Sequence, residues 1–119
     1  MKPFTRSDRV GGLIQQVMAE LLQKQVSDPR LTDVTITGVQ VSRDLRLAKI
    51  YFCMPTGEVA RADALDGFER ARGFLKRELA QRLTLRYMPD LRFYYDGSFD
   101  YGAHIERLLK TVKDHDPDN

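Results

Sequence analysis

Between Pro55 and Pro89 the chain carries no proline, and the stretch from about Val59 to Leu85 has the composition of helix. Proline removes a backbone donor and ends helices, so Met54-Pro55-Thr56-Gly57 and Tyr87-Met88-Pro89-Asp90 set both limits of this region. Its flanks have a different period. Ala48, Ile50, Phe52 and Met54 alternate before it, and Leu91, Phe93 and Tyr95 alternate after it, each set reading as the core face of a strand. A long helical region set between strands predicts an α+β fold.

The earlier residues extend this plan. Val10, Leu13, Ile14, Val17, Met18, Leu21 and Leu22 form one stripe of an amphipathic helix, with Ser7 as the expected N-cap and Asp8 complementing the helix dipole. Ser27-Asp28-Pro29 closes it. Gly11-Gly12 in its first turns costs about 1 kcal/mol per glycine relative to alanine, so the pair either admits another backbone closely or leaves the helix start frayed. Val34, Ile36, Val39 and Val41 make a first strand whose apolar residues change phase, which predicts a bulge at Gly38. Ser42 to Arg46 reads as the turn of a hairpin with the second strand. After the turn Asp96-Gly97-Ser98, Tyr101, Ile105, Leu108, Leu109 and Val112 lie at helical spacing. The expected domain is residues 1–113, followed by an acidic disordered tail over 114–119.

A chain of 119 residues fits one domain, and no apolar run approaches the roughly 18 residues of a membrane span. The N-terminus lacks the apolar core of a secretory signal, so the cytoplasm is the expected location. Cys53, the one cysteine, sits in Ile50-Tyr51-Phe52-Cys53-Met54 and reads as a buried thiol. His104 and His115 stand in no ligand spacing with a cysteine or a carboxylate pair, so no catalytic residue, metal or cofactor is expected.

Net charge is only +2, but its distribution is uneven. Arg70, Arg72, Lys76, Arg77, Arg82, Arg86 and Arg92 face only Glu78 and Asp90 over one segment, whereas Asp63, Asp66 and Glu69 interleave acids just before it. Arginine and lysine gathered in this way suit phosphate neutralisation. At about 100° per residue from Arg70, the apolar residues Phe68, Leu75, Leu79 and Leu83 span roughly 140° to 220° and Arg72 falls among them at about 200°. A break at Ala71-Arg72-Gly73 would swing Arg72 to solvent, so a helix-kink-helix is predicted; the alternative is a straight helix past which Arg72 snorkels. On the strands, Lys49 with Tyr51 and Arg92 with Tyr94 share the face opposite the apolar one. Bases could stack there; the preferred expectation is that these tyrosines pack against the C-terminal helix. The strand face or that helix could equally serve a protein partner.

Asp28-Pro29-Arg30-Leu31, Val41-Ser42-Arg43-Asp44-Leu45 running into Ala48-Lys49-Ile50-Tyr51, Ala71-Arg72-Gly73-Phe74-Leu75-Lys76, Leu83-Thr84-Leu85-Arg86 and Pro89 occur in order. With Phe93, Asp96, Ser98, Gly102, Ile105, Leu108 and Leu109, they resemble the ribosome-binding factor A family from about residue 5 to residue 113. The resemblance implies a type II KH-like α+β domain of order α-β-β-α(kink)α-β with a short C-terminal helix. It also implies a non-catalytic factor, here expected to be monomeric, that binds 16S rRNA on the immature 30S subunit and assists late maturation, notably in the cold. Assembly GTPases and ribosomal proteins are the protein partners such a factor would meet. No pair of glycines has the GxxG spacing of an ordinary KH clamp; the family's Ala-x-Gly element stands at Ala71-Arg72-Gly73. The acidic tail is short, and Gly11-Gly12 is no family feature. The expected RNA-contacting set is Arg43, Arg70, Ala71, Arg72, Gly73, Lys76, Arg77, Arg82 and Arg86.

Overall fold

The computed structural model describes residues 4–55 and 57–98. In chain order they form α1 (Arg6–Lys24), β1 (Thr35–Val41), β2 (Leu47–Cys53), α2 (Glu58–Arg82) and β3 (Asp90–Tyr95), with a 3-10 turn at Pro29–Leu31 between α1 and β1. The sheet order is β1-β2-β3: β1 and β2 are an antiparallel hairpin, and β2 and β3 run parallel. Parallel neighbours need a long crossover, which α2 supplies.

The bulge falls where the change of phase requires one. Ile36 pairs with Phe52 and Gly38 with Tyr51, leaving Thr37 as the extra residue. Val39 and Val41 thereby join Ile36 on the face that carries Ala48, Ile50, Phe52, Leu91 and Phe93. The hydroxyl of Thr37 donates to Asp96 Oδ2 at 2.7 Å, tying the bulge to the end of β3. Cys53 faces away from this core side and is half-buried, a correction to its expected burial: Phe52 takes the inward position, and strand alternation turns its neighbour outward.

Thr5, not Ser7, caps α1. Its hydroxyl accepts from the Asp8 amide at 3.2 Å while the Asp8 carboxylate accepts from the Thr5 amide at 3.1 Å, a reciprocal capping box that satisfies two otherwise unpaired donors. Val10, Ile14, Met18 and Leu21 are buried along the stripe, whereas Leu13 at its edge is exposed. The glycine pair divides in role. A Cβ on Gly11 would lie 2.9 Å from the carbonyl oxygen of Val39, so the missing side chain lets α1 sit directly on the β1 backbone; a Cβ on Gly12 would meet open space. Gly11→Ala is therefore expected to destabilise by about 1–2 kcal/mol, the overpacking cost exceeding alanine's helical advantage. Gly12→Ala should stabilise by up to about 1 kcal/mol. Urea unfolding of the two variants checks the opposite signs; equal effects would mean that the backbones are not in contact.

The predicted division into two helices at Ala71-Arg72-Gly73 is not seen. Helix α2 runs without interruption from Glu58 to Arg82, and Gly73 has no positive φ. Arg72 snorkels instead: its side chain is half-buried, and Nη2 donates to Glu69 Oε1 at 2.5 Å, while Nε is buried without a hydrogen-bond partner. One unpaired Nε costs less than a helix break that would disturb the alignment of Phe68, Leu75 and Leu79, all fully buried. Phe68 stacks on Phe93 with centroids 4.4 Å apart and lies 5.0 Å from Phe52, fixing α2 to the sheet. The expected C-terminal helix and the tail over 114–119 lie outside the described residues.

Candidate nucleic-acid interface

Helix α2 sorts its cations by what lies beside them. Arg70 and Arg77, about 20° apart on the helix surface and two turns apart along it, are exposed and make no ion pair among the described residues. Gly73 stands between them on the exposed side, where a Cβ would find only Arg77 Nη1, at 4.0 Å. The result is a flat, side-chain-free step between two arginines, on which a phosphate backbone can approach the helix closely. Three other candidates are committed to partners. Arg72 holds Glu69, Lys76 Nζ lies 3.6 Å from Asp90 Oδ1, and Arg82 Nη1 lies 3.3 Å from Glu20 Oε2 on α1. Ala71 is half-buried against the core.

The uninterrupted helix changes what Gly73→Ala should do. With helical backbone angles and open space for the methyl group, the variant is expected to gain up to about 1 kcal/mol, a rise in Tm of about 4 °C. A fall in Tm would mean that Gly73 takes backbone angles alanine cannot adopt.

A cleft of about 670 Å³ opens beside the end of α2, lined by Arg6, Arg46, Lys76 and Arg86, with Asp44 and Asp90 as its carboxylates and Leu45, Leu85 and Met88 as apolar lining. Four segments build it: the start of α1, the hairpin turn, α2 at Lys76, and the link from α2 into β3. The turn is held by Ser42, whose hydroxyl donates to Asp44 Oδ1 at 2.6 Å and accepts from the Leu47 amide at 3.1 Å. The Ser42 hydroxyl first, and then the Arg46 amide that also donates to Asp44 Oδ1, draw the Asp44 carboxyl below its ordinary pKa. Leu45 takes φ 61°, in the left-handed region. That geometry costs a leucine roughly 1–3 kcal/mol, and it is offset here by packing against the core. Arg86 reaches the cleft with its guanidinium 5.5 Å from the ring of exposed Tyr87.

Lys76 and Arg86 of the expected set thus meet in one cleft with Arg6 and Arg46, which sequence reasoning missed. Arg6 left one trace, since a cation in the first turn of α1 opposes the helix dipole. Arg43 is exposed but lines a different hollow, with Thr5, Ser7, Asp8 and Gln40. The Asp28-Pro29-Arg30-Leu31 motif is structural. Asp28 accepts from Arg30 Nη2 at 2.7 Å and from Nε at 3.0 Å, and the turn packs on α2 where Gly67 lacks a side chain. The Arg30 side chain holds the Asp28 carboxyl at about 2, so this tie persists across the physiological range and is lost only as pH falls towards that value. Among the described residues no three His, Cys, Asp or Glu side chains gather as metal ligands, and no helix is long and apolar enough to cross a membrane.

The chain is thus a small α+β domain, a three-stranded sheet backed by two helices, with arginines exposed along one helix and a cation-lined cleft at its end. Comparison with known proteins narrows this. Residues 6–109 match the family model described as Ribosome-binding factor A. The ribosome-binding factor A of Desulfosudis oleivorans is 51% identical over 122 residues, spanning 100% of this chain and 95% of that protein. That of Desulfatibacillum aliphaticivorans is 48% identical over 112 residues, spanning 94% and 91%. The crystal structure of ribosome-binding factor A from Thermus thermophilus superposes with a TM-score of 0.68 at 27% identity, covering 76% of this chain and 97% of that one. The chain belongs to the ribosome-binding factor A family. It is a family of binding factors and not of enzymes.

Proposed function

We propose that this chain binds the immature 30S subunit in the cytoplasm, as a monomer without cofactor, and assists late maturation of its 16S rRNA, notably in the cold. The observation that carries the reading is the pair of unpaired arginines, Arg70 and Arg77, flanking the bare step at Gly73. Arg86 and the cleft beside it extend the same basic surface. In fold terms we read a type II KH-like domain over residues 1–113 in which the helix pair after β2 is merged into α2. Lacking GxxG, it meets structured rRNA by phosphate contact rather than by clamping single-stranded bases. A model of the Thermus thermophilus relative, fitted into a map of a 30S complex of that protein, superposes on this chain with a TM-score of 0.55 and supports the same reading.

Salt titration tests it. If Arg70, Arg77 and Arg86 each neutralise a phosphate, log affinity for immature subunits should fall with log salt at a slope of about −2 to −3, from roughly −0.7 to −0.9 per contact. Binding indifferent to salt would sink the phosphate reading.

A further inference from the structure

The face of the sheet turned away from the core has its own organisation. Sheet register places Gly38, Tyr51 and Tyr94 side by side in one row and Gln40, Lys49 and Arg92 in the next. The tyrosine rings stack across β2 and β3 with centroids 5.7 Å apart and planes at 30°. Tyr94 is 39% exposed, and Gln40, Lys49 and Arg92 are exposed. On the other side of Tyr51, Gly38 leaves a gap: a Cβ there would meet nothing within 4 Å. Beside the second row lies a hollow of about 270 Å³ lined by Gln40, Val41, Ser42, Leu47 and Lys49.

We propose that this face is a second RNA site, taking two consecutive unpaired bases on Tyr51 and Tyr94 while Lys49 and Arg92 meet the flanking phosphates. Aromatic faces accept bases only when these are unstacked, so the ligand is single-stranded RNA, unlike the structured RNA met by α2. A purely structural tyrosine pair would explain the ring stack, since cross-strand aromatic pairs stabilise sheets. It leaves unexplained two exposed cations one row away and the open space over Gly38, which gives a base room to slide against the outer side of Tyr51. Neither row contains a carboxylate; of the two that border them, Asp90 is turned to Lys76 and Asp96 is bound by the Thr37 and Ser98 hydroxyls. The charge therefore complements a polyanion better than a typical mixed protein surface. The Tyr51 hydroxyl, which donates to Gln40 Oε1 at 3.4 Å, already links the two rows and can exchange that partner for a base edge.

The proposal rests on the chain being an RNA-binding protein, but not on α2 being the contact. The test is an NMR titration of the full chain with short oligouridylate and oligoadenylate, following the ring signals of Tyr51 and Tyr94. Both should shift, and should still shift in a chain carrying Arg70→Glu, Arg77→Glu and Arg86→Glu, which separates this site from the one on α2. Tyr94→Ala should weaken oligonucleotide binding by about five- to a hundredfold, and Tyr94→Phe should retain it. If Tyr94→Ala fails to fold, Lys49→Gln with Arg92→Gln must lower affinity and flatten its salt dependence. Silent rings while α2 signals move, or no response anywhere in excess oligonucleotide, overturn the proposal. So do rings that answer only to a ribosomal protein, or that contact residues beyond Ser98 which RNA does not displace.

Discussion

A chain carrying Arg70→Glu, Arg77→Glu and Arg86→Glu is expected to lose on the order of a hundredfold in affinity for immature small subunits while keeping its melting temperature. A hydrogen bond to a charged group is worth about 1.5–3 kcal/mol, so three lost phosphate contacts exceed the 1.4 kcal/mol per tenfold by a comfortable margin even when partly screened. Reversal adds repulsion to loss. The fold should change little, because none of the three makes an ion pair among the described residues and all are exposed, where substitutions usually stay within about 0.5 kcal/mol; the Arg70 charge acts on Asp28 only after the much closer Arg30. Arg72, Lys76 and Arg82 make poorer targets. Each holds a carboxylate, and the Arg82–Glu20 pair joins α2 to α1, so their reversal would mix stability with binding. Co-sedimentation of the folded triple variant at the wild-type level would show that α2 is not the contact surface.

Phe68→Ala should have the largest effect on stability, a loss of about 3–5 kcal/mol. Phe68 is fully buried, stacked on Phe93 of β3 and tilted against Phe52 of β2, so its removal leaves a cavity at the centre of the seam between α2 and the sheet. Domains of this size have about 5–15 kcal/mol in total, which makes the variant marginal. The seam also sets how α2 presents Arg70 and Arg77, and where Lys76 and Arg86 meet Arg46. Equilibrium urea unfolding measures the loss directly. A change below about 1 kcal/mol would mean that α2 is held to the sheet elsewhere. Subunit binding measured well below the unfolding midpoint should weaken less than in the charge-reversed chain, because the arginines themselves remain.

The two kinds of prediction differ in how much of each was legible in the residues alone. Strand faces, the bulge beside Gly38 and the turn at Ser42 to Arg46 follow from periods of two and from turn chemistry, which act between residues a few positions apart. The structure agrees with them nearly to the residue. The basic segment after Arg70 was equally plain as a count of charges. Its internal sorting was not, because whether an arginine is spent depends on which element folds up beside it: Glu20 reaches Arg82 from 62 positions away.

The misplaced kink has the same origin. A helical wheel puts Arg72 in the apolar stripe correctly, but it gives the side chain no length, and a long stem can leave the stripe with its backbone undisturbed. For this protein, then, local order settled the elements, their buried faces and the sign of charge carried by α2. Tertiary packing decided that α2 is continuous, that Gly11 and not Gly12 admits a neighbouring backbone, that Arg70 and Arg77 remain unpaired, and that Arg6 and Arg46 complete a cleft begun by Lys76 and Arg86. The reason is range. Periodicity and turn chemistry act over a few residues of chain, whereas desolvation, ion pairing and close approach of backbones act over a few ångströms of space, between segments that only the completed fold makes neighbours.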